Sequence, residues 1–331
     1  MDSLRSESRT LAALDAAGSI LWQHRFPEPL ALAPEVPYEN PLLREAVLQA
    51  MVDLHGDGED EILVVTVSPP DGGGSWTLHA MDEGGRELWK FQPGRTWMVG
   101  GDRIDSSWAI RYFMIDDLDG DGSKEILVSS RHASQFPACL TVLDSSGRPV
   151  AEYPHDGPLA PLSTYDLDNN GRKEILAGGT DSSHGQGCLL ILDSRRLRPP
   201  PDGARKFSSR SAIGPTGQEV AYLLIPRHCL AMATQPESGI PDIRITDETL
   251  IVGTESAARP PCSVPGGLIY TFSHRLELQR VETNSGYQVQ HRCLEEQGWL
   301  DHPYSDAEIN RFRGVQYWDG TRFGETPSAR W

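Results

Sequence analysis

No run of 18 apolar residues occurs in this 331-residue chain, so no membrane-spanning helix is expected. Met1 to Ala13 lacks the apolar core of a signal peptide. The expectation is a cytoplasmic protein, or an extracellular one if the chain is a fragment of a longer precursor. Cysteine is sparse: Cys139, Cys188, Cys229, Cys262 and Cys293 are far apart, odd in number and without a CxxC pair. Neither a disulfide framework nor a zinc knuckle is expected from them. Positive charge is also short. The formal net charge of -17 would repel phosphates and argues against nucleic acid or an anionic membrane as partner. The catalytic signatures GxSxG, HExxH and the P-loop are missing as well.

What the chain has is turns and one recurring loop. Gly 32 and Pro 25 fit many short strands better than long helices. Asp117-Leu118-Asp119-Gly120-Asp121-Gly122-Ser123-Lys124-Glu125 runs straight into Ile126-Leu127-Val128. The same pattern starts at Asp53 and again at Asp166, so the copies recur after 64 and 49 residues. Repetition at such a period signals a repeat architecture.

Each copy belongs to a longer unit. An inner strand (Ala46–Val52, Ile110–Ile115, Leu162–Tyr165) leads into the acidic loop, and a second strand (Ile62–Val67, Ile126–Ser129, Ile175–Gly178) follows. After a variable loop comes a hairpin with Asp at its turn, seen at Asp15, Asp82 and Asp144, with a fainter copy at Asp193 that loses its second strand in Arg/Pro-rich sequence. The Asp side chain can bond forward to the backbone there, and Gly accepts positive φ. Four strands per unit describe the blade of a β-propeller. The expected fold is all-β, a single β-propeller domain over 1–331. Its blades fall at about 45–92, 109–155, 158–206 and 218–282, with Glu219–Pro226 as inner strand of the fourth. A closing blade pairs strands of 286–331, including Tyr287–Cys293 and Gly314–Trp318, with the N-terminal hairpin of 8–26. Five blades are expected, with six as the alternative. A short helix is expected to start at Ser305.

The loops carry metal chemistry. Positions 1, 3, 5 and 9 are Asp117, Asp119, Asp121 and Glu125 in the best copy. They are Asp166, Asp168, Asn170 and Glu174 in the next, and Asp53, His55, Asp57 and Glu61 in the weakest. Alternate carboxylates on a tight turn can aim at one centre, and hard oxygens suit Ca²⁺. Two to three Ca²⁺ sites are expected, strongest at 117–125. No sulfur or paired nitrogens suited to a transition metal are evident. The fourth unit has lost its loop at Pro241–Thr249.

The loop D-x-D-x-D-G-x-x-E followed by Ile-Leu-Val resembles the FG-GAP/VCBS repeats, the calcium-loop propeller blades of integrin α subunits. The resemblance covers residues 45–195. It implies a further ligand at position 7, a backbone carbonyl, here Ser123, Arg172 and Glu59. This chain departs from the pattern at His55, at Asn170 and in using Glu at position 9. In such a propeller the variable loops lie on the opposite face, so Trp97, Arg103, Asp105, Arg131, His132, Asp181 and His184 are ligand-face candidates. The reading is a calcium-stabilised module for protein interaction and assembly, with a protein partner. A carbohydrate or small-ligand binder is the alternative. A glycoside hydrolase or lyase is the second alternative, with Asp105, Asp116 and Asp181 as candidate carboxylates.

Overall fold

The computed structural model describes residues 3–31, 48–67, 76–94, 96–105, 107–132 and 137–331. The first three residues of the expected inner strand Ala46–Val52 straddle that boundary, and the loop 68–75 lies outside it. The chain divides into two compact units, residues 1–154 with 198–212, and residues 155–197 with 213–331.

The first unit opens with β1 (Ser3–Glu7), β2 (Thr10–Leu14) and β3 (Ile20–Arg25), an antiparallel sheet in chain order. Next comes the four-stranded sheet β4 (Gln49–Val52), β5 (Glu61–Val67), β6 (Trp76–Met81) and β7 (Glu87–Phe91). A small hairpin, β8 (Trp97–Val99) and β9 (Asp102–Ile104), precedes a second four-stranded sheet. That sheet is β10 (Trp108–Asp116), β11 (Glu125–His132), β12 (Ala138–Leu143) and β13 (Pro149–His155). Strand order follows chain order in both, as expected for the repeat unit. Strands β5 and β12 are buried almost throughout. Leu63 and Val65 of β5 and Leu143 of β12 form a core with Leu54, Ile110 and Phe113. In each hairpin the Asp carboxylate accepts forward N–H bonds, for example from Ala17 and Ser19 to Asp15 at 2.9 and 2.8 Å.

The second unit holds β14 (Leu159–Tyr165), β15 (Glu174–Asp181) and β16 (Gln186–Leu192). The chain then leaves for β17 (Arg205–Phe207), which pairs in parallel with β8 in the first unit. It returns as β18 (Glu219–Ile225), which pairs antiparallel with β16. Glu219–Ile225 is therefore the fourth strand of the sheet that begins β14–β15–β16, not the inner strand of the next. Its reason is burial: all seven residues are buried, so it needs a neighbour on each side. After α1 (Cys229–Thr234), a further sheet follows as β19 (Asp242–Ile245), β20 (Thr249–Gly253), β21 (Leu268–Ser273) and β22 (Leu278–Thr283). The segment expected to be a decayed loop thus supplies a strand and a tight turn.

Two C-terminal expectations are corrected. Tyr287–Cys293 is not a strand but part of α2 (Tyr287–Glu296), whose buried Tyr287, Gln290, His291 and Leu294 have helical spacing. Beyond α3 (Asp306–Ile309), which is preceded by Ser305 as its N-cap, lie β23 (Gln316–Trp318) and β24 (Phe323–Gly324). Strand β23 pairs with β18, and β2 takes β1 and β3 as its partners. Among the described residues no strand of 286–331 pairs with the N-terminal hairpin. Strand β23 takes the outer edge of β18 and β1 that of β2, so both backbones are satisfied locally. Cysteine is corrected too: Cys262 and Cys293 form a disulfide with Cα atoms 5.6 Å apart, and the other three thiols are buried.

Candidate functional site

The acidic loops share one backbone framework. The first Asp of each loop accepts N–H bonds from the turn: Gly120 and Gly122 to Asp117 at 2.7 and 3.0 Å, Gly56 and Gly58 to Asp53 at 2.6 and 2.9 Å, and Asn170 and Gly171 to Asp166 at 2.9 and 2.8 Å. The fifth residue accepts from the seventh: Ser123 to Asp121 at 2.8 Å, Glu59 to Asp57 at 3.0 Å and Arg172 to Asn170 at 2.9 Å. Position 2 is a buried Leu, and its N–H donates to the ninth residue. Leu118 reaches Glu125 at 3.0 Å, Leu54 reaches Glu61 at 2.8 Å and Leu167 reaches Glu174 at 2.9 Å. The apolar anchor and this bond fold the Glu at the strand entrance back over the loop.

The consequence is convergence. One carboxylate oxygen each from Asp117, Asp119 and Glu125 lies within 4.8 Å of the other two, and the same holds for Asp166, Asp168 and Glu174. In the third loop His55 stands in for a carboxylate, with its Nε2 4.0 Å from Glu61. Burial, and then the neighbouring Asp residues, push Glu125 above the usual carboxylate range and Glu174 up to about 7. Asp53 is held below that range, first by the Gly58 N–H. In the loops at Asp117 and Asp166 the donor set is hard and oxygen-only, which fits Ca²⁺.

The first two loops also touch. Lys124 donates its backbone N–H to Leu54 and its Nζ to the Asp53 carbonyl, both at 2.8 Å. A Cβ on Gly56, whose φ is +72°, would stand 2.8 Å from the Gly122 carbonyl oxygen. Glycine is required there by both the turn and the contact.

The ligand-face candidates are placed less uniformly. Trp97 is 2% exposed and packs on Trp108 and Phe207 at 5.0 and 5.4 Å, so it belongs to the core of the first unit. Asp105 meets His132 at 2.8 Å, and that hydrogen bond first of all holds its carboxyl down at about 2. Arg103 is exposed on β9 and Arg131 half-buried at the end of β11. In the second unit Asp181 is buried, accepting from the Tyr222 hydroxyl at 2.7 Å and from the His184 N–H at 2.9 Å. Tyr222 in turn meets His155 at 2.9 Å. Asp116 caps its own strand by accepting from Asp117 N–H at 3.0 Å.

One group was missed by the sequence. Cys229, His291, His302 and Glu308 bring four ligand atoms within 4.8 Å of one another, a set with the sulfur and paired nitrogens that the acidic loops lack. Their scatter over 229–308 matches no short motif. The helical spacing of His291 within 287–294 was the available signal.

No family model matches the chain, and no curated protein sequence matches it. Solved structures similar in fold include the Dos1 propeller, at 12% identity and a TM-score of 0.39, covering 84% of this chain and 65% of that one. The C-terminal domain of PilY1 from Pseudomonas aeruginosa aligns at 12% identity and a TM-score of 0.45, over 82% of this chain and 56% of that one. A GH43 β-1,3-galactosidase with galactodeoxynojirimycin aligns at 9% identity and a TM-score of 0.37, over 83% of this chain and 79% of that one. The chain thus spans less than two thirds of the first two. At these TM-scores the likenesses assign it no function.

Proposed function

We propose that the chain is a calcium-clamped β-propeller of FG-GAP/VCBS type whose role is to dock a protein partner. The observation that carries the reading is the convergence of Asp117, Asp119 and Glu125, repeated in Asp166, Asp168 and Glu174, on one shared N–H framework. Asp121 and Asn170, with the carbonyls of Ser123 and Arg172, complete the two cages, and the loop of Asp53, His55, Asp57, Glu59 and Glu61 is the weak third. Bound Ca²⁺ would relieve the repulsion among the carboxylates and lock each strand entrance. The ion's service is rigidity, and no chemical step is asked of it.

Docking is supported by exposed apolar side chains on outer strands. Ile20 and Leu21 on β3 and Leu88 on β7 are 46, 54 and 39% exposed. The Trp22 indole joins the two sheets by donating to the Glu83 carbonyl at 2.6 Å. Edge strands with apolar faces are surfaces that another chain can cover. The Cys262–Cys293 disulfide supports an oxidising compartment over the expected cytoplasm, where Ca²⁺ is also abundant. The test is partner capture with the intact chain, with and without Ca²⁺, beside the variant Leu21→Lys. Capture that needs Ca²⁺ and is lost in the variant supports the reading. Capture indifferent to both contradicts it.

A further inference from the structure

A cluster of metal-ligating side chains outside the acidic loops lies in the second unit. His291 is fully buried on α2, and neither of its ring nitrogens has a hydrogen-bond partner. Glu308 on α3 is 3% exposed, and its Oε2 is likewise unpartnered. So is Nε2 of His302. Three of these four atoms, His291 Nε2, His302 Nε2 and Glu308 Oε2, meet at one point, where burial without hydrogen bonds is costly unless something binds them.

Their arrangement is that of ligands around an ion. Nε2 of His291 and Nε2 of His302 each stand 3.3 Å from Glu308 Oε2. Bonds of 2.0–2.1 Å at tetrahedral angles put neighbouring ligand atoms about 3.3 Å apart. Cys229, at the start of α1, supplies the fourth corner, its Sγ 2.8 Å from Glu308 Oε1. The supporting groups fit as well. Asp301 bonds His302 Nδ1 at 2.9 Å, which leaves Nε2 for a metal. The Tyr287 hydroxyl donates to Glu308 Oε1 at 2.6 Å, fixing that carboxylate with its other oxygen turned inward.

We propose that Cys229, His291, His302 and Glu308 bind one Zn²⁺. A thiolate, two imidazoles and a carboxylate are a borderline-soft, four-cornered set, unlike the hard oxygens of the loops. All four corners are protein side chains, so no position is left for substrate and the site is structural. It ties α1, α2, α3 and the 297–305 connection together, while the Cys262–Cys293 disulfide pins α2 two residues beyond His291.

The test is metal analysis of the full chain, stripped of divalent ions and reloaded with Zn²⁺ in excess Ca²⁺. About one Zn²⁺ per chain is expected, since Ca²⁺ does not compete for sulfur and nitrogen ligands. Co²⁺ in its place should give tetrahedral absorption with a thiolate charge-transfer band that Cys229→Ser abolishes. If burial makes that variant or His291→Ala misfold, His302→Gln at the half-exposed corner should still lose stoichiometric Zn²⁺. Asp301→Asn should weaken binding about 10- to 100-fold. No stoichiometric Zn²⁺, a Co²⁺ spectrum without the thiolate band, or retention undiminished in His302→Gln would each overturn the proposal.

Discussion

The indole N–H of Trp89 donates to the carbonyl of Ser145, 3.0 Å away and 56 residues along the chain. Trp22 makes the same bond to Glu83. Each indole lies against the glycine of the turn that receives it, so a Cβ at Gly85 or Gly147 would collide with the ring. The repeat is therefore stapled sheet to sheet by Trp on an outer strand and Gly in the next hairpin. Gly147, at φ +78°, should tolerate nothing larger. Gly147→Ala is expected to cost roughly 1–3 kcal/mol, from strain and overpacking. Trp89→Phe, which loses the hydrogen bond, should cost about 1 kcal/mol. Urea midpoints measure both.

Gly56 and Gly58 make a matched pair. Both have positive φ, but a Cβ on Gly56 meets the Gly122 carbonyl whereas one on Gly58 meets open space. Both alanine variants pay the backbone strain of about 1 kcal/mol. Gly56→Ala should lose more, because it also pushes the first two acidic loops apart. Equal melting temperatures for the two variants would show that the loop contact contributes nothing.

Calcium affinity should be graded by loop. Glu125→Gln and Glu174→Gln each remove a converging carboxylate, and each should weaken one site at least about tenfold. Glu61→Gln, in the loop with His55, should change total binding least. Titration calorimetry of the three variants separates them.

His79 predicts a pH dependence. It is 6% exposed, bonded to Thr66 at 3.0 Å and to Glu87 at 2.7 Å. Burial holds its pKa below the ordinary 6.5, against the pull of Glu87. A depressed folded pKa means that the unfolded chain takes the proton first. The stability contributed by neutral His79 is present above the unfolded value and lost as pH falls below it. Melting temperature should fall between about pH 7 and about pH 5, and His79→Gln should flatten that slope.

Local patterns were the legible part of this fold. The described inner strands and the second strands around the acidic loops, the hairpins at Asp15, Asp82 and Asp144 and the Ser305 helix start follow from adjacent residues and lie where those residues indicate. Long-range pairing was not legible. Glu219–Ile225 reads as a buried strand, but nothing in it says that β16 and β23 flank it. Cys262 and Cys293 look unrelated until α2 forms. His291 meets His302, Glu308 and Cys229 only through three separate helices and a connection. The acidic loops are readable because one local turn gathers all their carboxylates.

Calcium titration of the chain freed of divalent ions tests the central claim most directly. Calorimetry should find at least two sites, and the melting temperature should rise with Ca²⁺. Stabilisation should approach about 2.7 kcal/mol per site at a hundredfold excess over the dissociation constant. No binding heat together with an unchanged melting temperature would contradict the account.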